Sequence, residues 1–277
     1  MKIIKTIKEM QAWSRHQVKI GKSIGFVPTM GALHAGHKSL LERARLENDI
    51  VVSSIYINPT QFGSQEDLAR YPQTFEADRQ LCEAAGVDCV FAPENVYESD
   101  SQTWVVVEKL QQMLEGKSRP GHFNGVATVV TKLFNIVHPT RAYFGRKDAQ
   151  QLVVIKTMVK ELNMDLDIIP CDTVREADGL AMSSRNRFLS PTERQQALCI
   201  YRALTYCRQQ VENGERNASK LVEGMHRILT IDIDYVVIVD AQCLVPIAIL
   251  KDDVLVAIAV KVGSVRLIDN INFTGLS

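Results

Sequence analysis

An excess charge of either sign is missing from this chain. Its 32 Lys and Arg are matched by 32 Asp and Glu, so the formal net charge over 277 residues is zero. A protein that coats nucleic acid needs a basic excess or a basic stripe to displace counterions from phosphates. Nucleic acid is therefore not expected as a partner. A long hydrophobic run is missing too. The longest, residues 254–260, has seven residues, whereas a bilayer-crossing helix needs about 20. The first ten residues break their apolar side chains with Lys2, Lys5 and Lys8, which argues against a secretory signal peptide. Cysteine is sparse. Cys82, Cys89, Cys171, Cys199, Cys207 and Cys243 include no C-x-x-C pair, so neither a zinc knuckle nor a dithiol redox motif is expected. These absences predict a cytoplasmic protein with no membrane association, its thiols serving as buried or partly buried small hydrophobes.

The composition itself, 46% hydrophobic and 23% charged, is that of a globular protein with enough chain for one large domain or two smaller ones. Short apolar runs at residues 24–27, 50–57, 87–92, 142–144 and 167–169 predict strands. Stretches with apolar residues three and four apart at 37–48, 74–85, 126–137 and 149–162 predict helices. Such alternation predicts an α/β fold, a parallel sheet with helices on both faces and ligands at the carboxyl ends of its strands. Beyond residue 173 the pattern changes. Helices at 191–212 and 218–229, the first started by Ser190 and Pro191, are followed by strands at 233–239, 254–260 and 265–269. The expected organisation is a doubly wound domain at 1–173 and a smaller α+β domain at 174–277.

The densest chemical signal is Pro28-Thr29-Met30-Gly31-Ala32-Leu33-His34-Ala35-Gly36-His37, between the first strand of that alternation and the helix after it. A helix starting near Gly36 would aim unpaired N–H groups and its positive dipole end at a phosphate. Gly31 and Gly36 would let it approach. His34 and His37, three residues apart, could both donate to its oxygens. The segment misses a P-loop by one residue, because His37 stands before Lys38-Ser39, and no G-x-G-x-x-G occurs in the chain. A two-histidine metal site lacks further ligands at the usual spacing, so no protein-held metal is expected. The histidines could also do no more than cap the helix. Asn58-Pro59-Thr60-Gln61-Phe62 and Gly145-Arg146-Lys147-Asp148-Ala149-Gln150-Gln151 follow later strands and would share the same sheet edge. Residues 175–186, READGLAMSSRN, offer hydroxyls and guanidinium groups from a loop free to move, and Lys147 and Arg185 could balance triphosphate charge. A simple adenylyltransferase and a nucleotide-sensing module are the competing functions. The glutamines at 61 and 151 favour an additional acid substrate.

Together, MGALHAGH at 30–37, NPTQF at 58–62, RPGHFNGVATVVTKLFN at 119–135, YFGRKDAQQ at 143–151, READGLAMSSRN at 175–186 and RLIDN at 266–270 resemble the pantothenate synthetase family. Its members are ligases of the H-x-G-H nucleotidyltransferase superfamily. The resemblance implies a nucleotidyltransferase-type Rossmann-like domain with a small carboxy-terminal lid, usually as a homodimer. It also implies ATP-dependent joining of pantoate to β-alanine through a pantoyl adenylate, with Mg²⁺ on the phosphates. Residue by residue, Met30, Gly31, Ala32, Leu33, His34, Ala35, Gly36 and His37 would bind ATP, His34 and His37 meeting the phosphates and His37 donating a proton. Gly145, Arg146, Lys147, Asp148, Val174, Met182, Ser183, Ser184 and Arg185 would complete the ATP site, with Lys147 and Arg185 as catalytic cations. Gln61 and Gln151 would hold pantoate, Gln61 also facing β-alanine. Ala35 and Arg146 stand where relatives often carry acidic residues.

Overall fold

The alternating runs fold as strands β1 (Lys2–Ile4), β2 (Ile24–Thr29), β3 (Ile50–Ile55), β4 (Cys89–Phe91), β5 (Arg141–Gly145) and β6 (Asp167–Cys171). The structure is a computed structural model describing residues 1–63 and 68–276. All six strands are parallel, in the order β1-β4-β3-β2-β5-β6. The connecting helices are α1 (Ile7–Lys19), α2 (Ala35–Glu47), α3 (Phe75–Ala84), α4 (Leu114–Ser118), α5 (His122–Val137) and α6 (Ala149–Glu161).

Successive strand residues point to opposite faces, and both faces are covered. Val27 and Tyr143 join Leu40, Leu41 and Ala44 of α2 in one core cluster. Phe26 and Phe144 each meet Phe134 of α5 edge-on, at 6.4 Å between ring centroids. The sheet is therefore doubly wound. From β2 the chain steps through β3 to β4, then crosses back to β5 and moves outward to β6. The reversal lies between β2 and β5. These strands pair only at Gly25 with Arg141 and Phe26 with Ala142. Val27, Pro28 and Thr29 pair with β3, and Tyr143, Phe144 and Gly145 with β6. The sheet thus parts at the carboxyl ends of β2 and β5, where open α/β sheets bind ligands.

The amino-terminal β1 and α1 are not among the expected elements, although Ile7, Met10 and Trp13 give α1 a helical spacing. Only Ile4 of β1 is buried, and the buried face of α1 is Met10 and Ser14. Helix α5 starts four residues before the expected Val126, because Gly121 adopts a left-handed conformation (φ 79°) at its start.

The chain divides into two units. The first is Met1–Gly145 with Val154–Asp172; the second is Arg146–Val153 with the chain from Thr173 onward. In the second, α7 (Pro191–Glu212) and α8 (Ala218–Ile228) accompany an antiparallel sheet ordered β7 (Asp232–Asp240), β8 (Asp252–Val262), β9 (Val265–Leu276). Its core joins Ile200 and Leu204 of α7 and Leu221 and Met225 of α8 to Val256 and Ile258 of β8. The expected start of α7 is a reciprocal cap: the Glu193 N–H donates to Ser190 Oγ (3.3 Å) and the Ser190 N–H to Glu193 Oε2 (2.8 Å). Cys243 is exposed, contrary to expectation, and the other five cysteines are buried. Burial pushes the Cys89 and Cys207 thiols up to about 12, which suits packing rather than nucleophilic chemistry.

Candidate active site

The loop leaving β2 is shaped by one buried carboxylate. Asp78 of α3 accepts from the Ala32 N–H (3.0 Å, Oδ2) and the Leu33 N–H (2.8 Å, Oδ1), and Thr74 Oγ1 donates to it as well. These bonds hold Ala32 left-handed at φ 51°. Gly31 turns the same way at φ 85°, and a side chain there would press within 3.0 Å of Asp78 Oδ2. Sequence reasoning passed over Asp78. Its signal is its place four residues before Cys82, on the same buried face of α3.

His34 and His37 form a reciprocal cap on α2. His34 Nδ1 accepts from the Gly36 N–H (3.1 Å), and His37 Nδ1 accepts from the His34 N–H (3.3 Å). Their ring centroids stand 4.2 Å apart. A neutral ring that accepts at Nδ1 carries its proton on Nε2, so both histidines are Nε2–H donors. Several backbone N–H groups of the segment are not unpaired, contrary to expectation. Those of Gly31, Ala32, Leu33, His34 and Gly36 each already meet a side-chain acceptor. The two imidazoles add Nε2–H donors to this segment.

Gln61 lies in a short 3₁₀ turn, Pro59–Gln61, after β3, and is buried rather than solvated. Asn58 Nδ2 donates to Gln61 Oε1 (3.0 Å) and to the Gly125 carbonyl (3.1 Å). The Gln61 carboxamide is thereby oriented, its NH₂ being the donor end. His122 Nδ1 lies 2.8 Å from the Gln61 carbonyl oxygen, which can only accept, so this ring is protonated at Nδ1 and its Nε2 faces Arg119 Nη1 at 3.3 Å. Gly125 lets α5 rest on the turn. A Cβ there would lie 2.5 Å from the Thr60 carbonyl oxygen and 2.7 Å from the Gln61 nitrogen. His122 and Gly125 are further residues missed as site components, although both lie in the RPGHFNG stretch. Phe62 meets Tyr71 edge-on at 5.7 Å, and Tyr71 Oη lies 3.5 Å from the Gly31 carbonyl oxygen. The glutamine turn and the histidine loop thus share a neighbour.

The remaining expected residues lie elsewhere. Gly145 ends β5 in the first unit, whereas Arg146, Lys147, Asp148 and Gln151 belong to the second with Val174 and residues 182–185. There Lys147, Ser183 and Arg185 line one pocket with Asn186, Arg266 and Asp269. Lys147 Nζ stands 3.8 Å from Asp148 Oδ1. The stretch from 175 is anchored, contrary to the expectation of a loop free to move. Arg175 forms a two-pronged ion pair with buried Asp269 (2.6 and 3.0 Å), and its guanidinium lies over the Tyr201 ring. The Met182 N–H donates to the Val174 carbonyl (3.0 Å), and Asn186 Nδ2 donates to Glu176 Oε1 (2.7 Å) and the Ala181 carbonyl. Ser183 caps a 3₁₀ turn, Ser184–Phe188, in which Arg185 is exposed.

The family model for pantoate-beta-alanine ligase matches residues 2–272. The chain belongs to the pantoate-β-alanine ligase family. It is 56% identical over 276 residues to a pantothenate synthetase of Thermotoga petrophila, with 98% of this chain and 99% of the relative covered. It is 53% identical to one of Caldicellulosiruptor saccharolyticus at the same coverage. The crystal structure of pantothenate synthetase from Thermus thermophilus superposes with a TM-score of 0.92 at 43% identity, covering 98% of this chain and 99% of that one. A pantoate-beta-alanine ligase from Francisella tularensis, complexed with beta-gamma ATP and beta-alanine, superposes at 0.78 and 36% identity, covering 98% and 97%. The chain is thus an enzyme, a ligase that uses ATP to join pantoate to β-alanine.

Proposed function

We propose that the ligation runs in two steps through a pantoyl adenylate and that the residues above divide the work between nucleotide and acid. The pantoate carboxylate attacks the α-phosphorus and pyrophosphate leaves. The β-alanine amine then attacks the acyl carbon, forming the amide and releasing AMP. Negative charge grows on phosphate oxygens in the first step, so preorganised donors lower the barrier more than a strong base would. The reciprocal imidazole cap carries this reading. With Nδ1 accepting from the backbone, the neutral His34 and His37 rings bring Nε2–H groups that hydrogen-bond phosphate oxygens, and proton donation by His37 requires its imidazolium form, in which Nδ1 gives up the His34 N–H. Lys147 and Arg185 supply positive charge, and Ser183 and Ser184 supply hydroxyls. Residues 30–37, Gly145, Arg146, Asp148, Val174 and Met182 form the rest of the ATP contacts.

Gln61 and Gln151 hold pantoate through their amides. Gln61 also faces β-alanine, and an amide donor leaves the carboxylate nucleophilic where a salt bridge would blunt it. Mg²⁺ would enter with the nucleotide and would offset the negative charge of its phosphates. A cytoplasmic homodimer is the working assembly we favour.

Isotope exchange between pyrophosphate and ATP tests the order of steps. With pantoate present and β-alanine absent, exchange should proceed and should stop when pantoate is withheld. Strict dependence on β-alanine, or release of ADP in place of AMP, would overturn the adenylate route.

A further inference from the structure

Asn270 of the RLIDN segment has no part in the reading above, yet it touches the lysine on which that reading rests. Asn270 on β9 is buried. Its Nδ2 donates to the Arg146 carbonyl at 2.9 Å and to the Lys147 carbonyl at 2.8 Å. Both acceptors are carbonyl oxygens, so the amide orientation is forced, and both of its N–H bonds are used. These carbonyls belong to the two peptide planes flanking the Lys147 Cα. One side chain therefore holds both planes and sets the direction in which the Lys147 side chain leaves the backbone. The Lys147 side chain keeps only 20% of its exposure and lines the pocket shared with Ser183 and Arg185. All these residues lie in the second unit.

We infer that Asn270 is a positioning residue for adenylation, acting through the backbone of Lys147 and not by touching substrate. The inference rests on the phosphate role of Lys147, and the test separates the two. Pyrophosphate exchange is measured with the parent enzyme, Asn270→Ala, Lys147→Ala and the double variant. Loss of the two bonds frees the lysine to wander by about an ångström, which can lower kcat on the order of 10²-fold, while KM for pantoate should stay within about twofold. In the Lys147→Ala background, Asn270→Ala should change kcat by less than about twofold, since coupled residues are not additive.

Equal losses in both backgrounds would overturn the inference and leave Lys147 its role. Near-normal kcat in Lys147→Ala alone would remove the phosphate role and the inference with it. Asn270→Asp keeps the side-chain size while removing both donors, and it replaces the alanine variant should that fail to show a cooperative thermal transition. Loss of fold in both variants would make Asn270 a stability residue and overturn the inference.

Discussion

At the residue scale, the division between phosphate donors and acid-binding amides has separable kinetic signatures. His37→Ala removes a donor whose bond strengthens as charge moves onto phosphate, so kcat should fall by roughly 10²- to 10³-fold, with KM for pantoate moving much less. It also removes the acceptor for the His34 N–H, so the thermal transition of the variant must be measured alongside. Gln61→Ala removes hydrogen bonds made to bound substrate, worth about 0.5–1.5 kcal/mol each in net terms, and should chiefly raise KM for pantoate and β-alanine. Steady-state kinetics with each substrate varied in turn checks both. Near-normal kcat in His37→Ala together with unchanged KM values in Gln61→Ala would return these residues to cap and turn. The letters H-x-G-H pointed to the histidines. Which ring nitrogen each commits to the backbone depends on groups that only the folded loop brings to Nδ1, and the burial of Asp78 is suggested by its spacing to Cys82, whereas its partner, 46 residues away at Ala32, is not.

At the element scale, the glutamine turn is only as well placed as the helix beneath it. Helix α5 is buried along most of its length, and its period was legible from residue 126 onward. Its contact with the turn was not, because a glycine in a helix reads locally as a weakness, costing about 1 kcal/mol relative to alanine. Here close approach outweighs propensity. Gly125→Ala would force α5 off the Thr60 and Gln61 backbone, at the roughly 1–3 kcal/mol typical of overpacking. The melting temperature should fall by about 2–4 °C for each kcal/mol, and KM for pantoate should rise. Calorimetry and kinetics showing neither change would mean the turn does not depend on this contact. The missed strand β1 has the same explanation in reverse. Lys2–Ile4 is an edge strand with one buried side chain, too little pattern to read, and it becomes a strand by pairing with β4.

For the whole molecule, the nucleotide-binding reading predicts a change in proteolysis. Arg175 is held by Asp269, so trypsin should cut the 175–187 stretch at exposed Arg185 and Arg187. ATP bound against Lys147 and Arg185 should slow cleavage there. Mass spectrometry of timed digests would show it, and equal rates with and without ATP would count against Arg185 as a nucleotide contact. Periodicity, the Ser190 cap and the ordered motifs were enough to establish a doubly wound sheet, a smaller α+β part and the ligase family, since each is written in neighbouring residues. Tertiary structure alone decided which strands part at the reversal of the sheet, which carboxylate shapes the histidine loop, and that residues 146–153 group with the second unit. Those outcomes depend on hydrogen bonds between residues tens to more than a hundred positions apart, as between Asn270 and Lys147, and no local pattern of residues encodes such a partner.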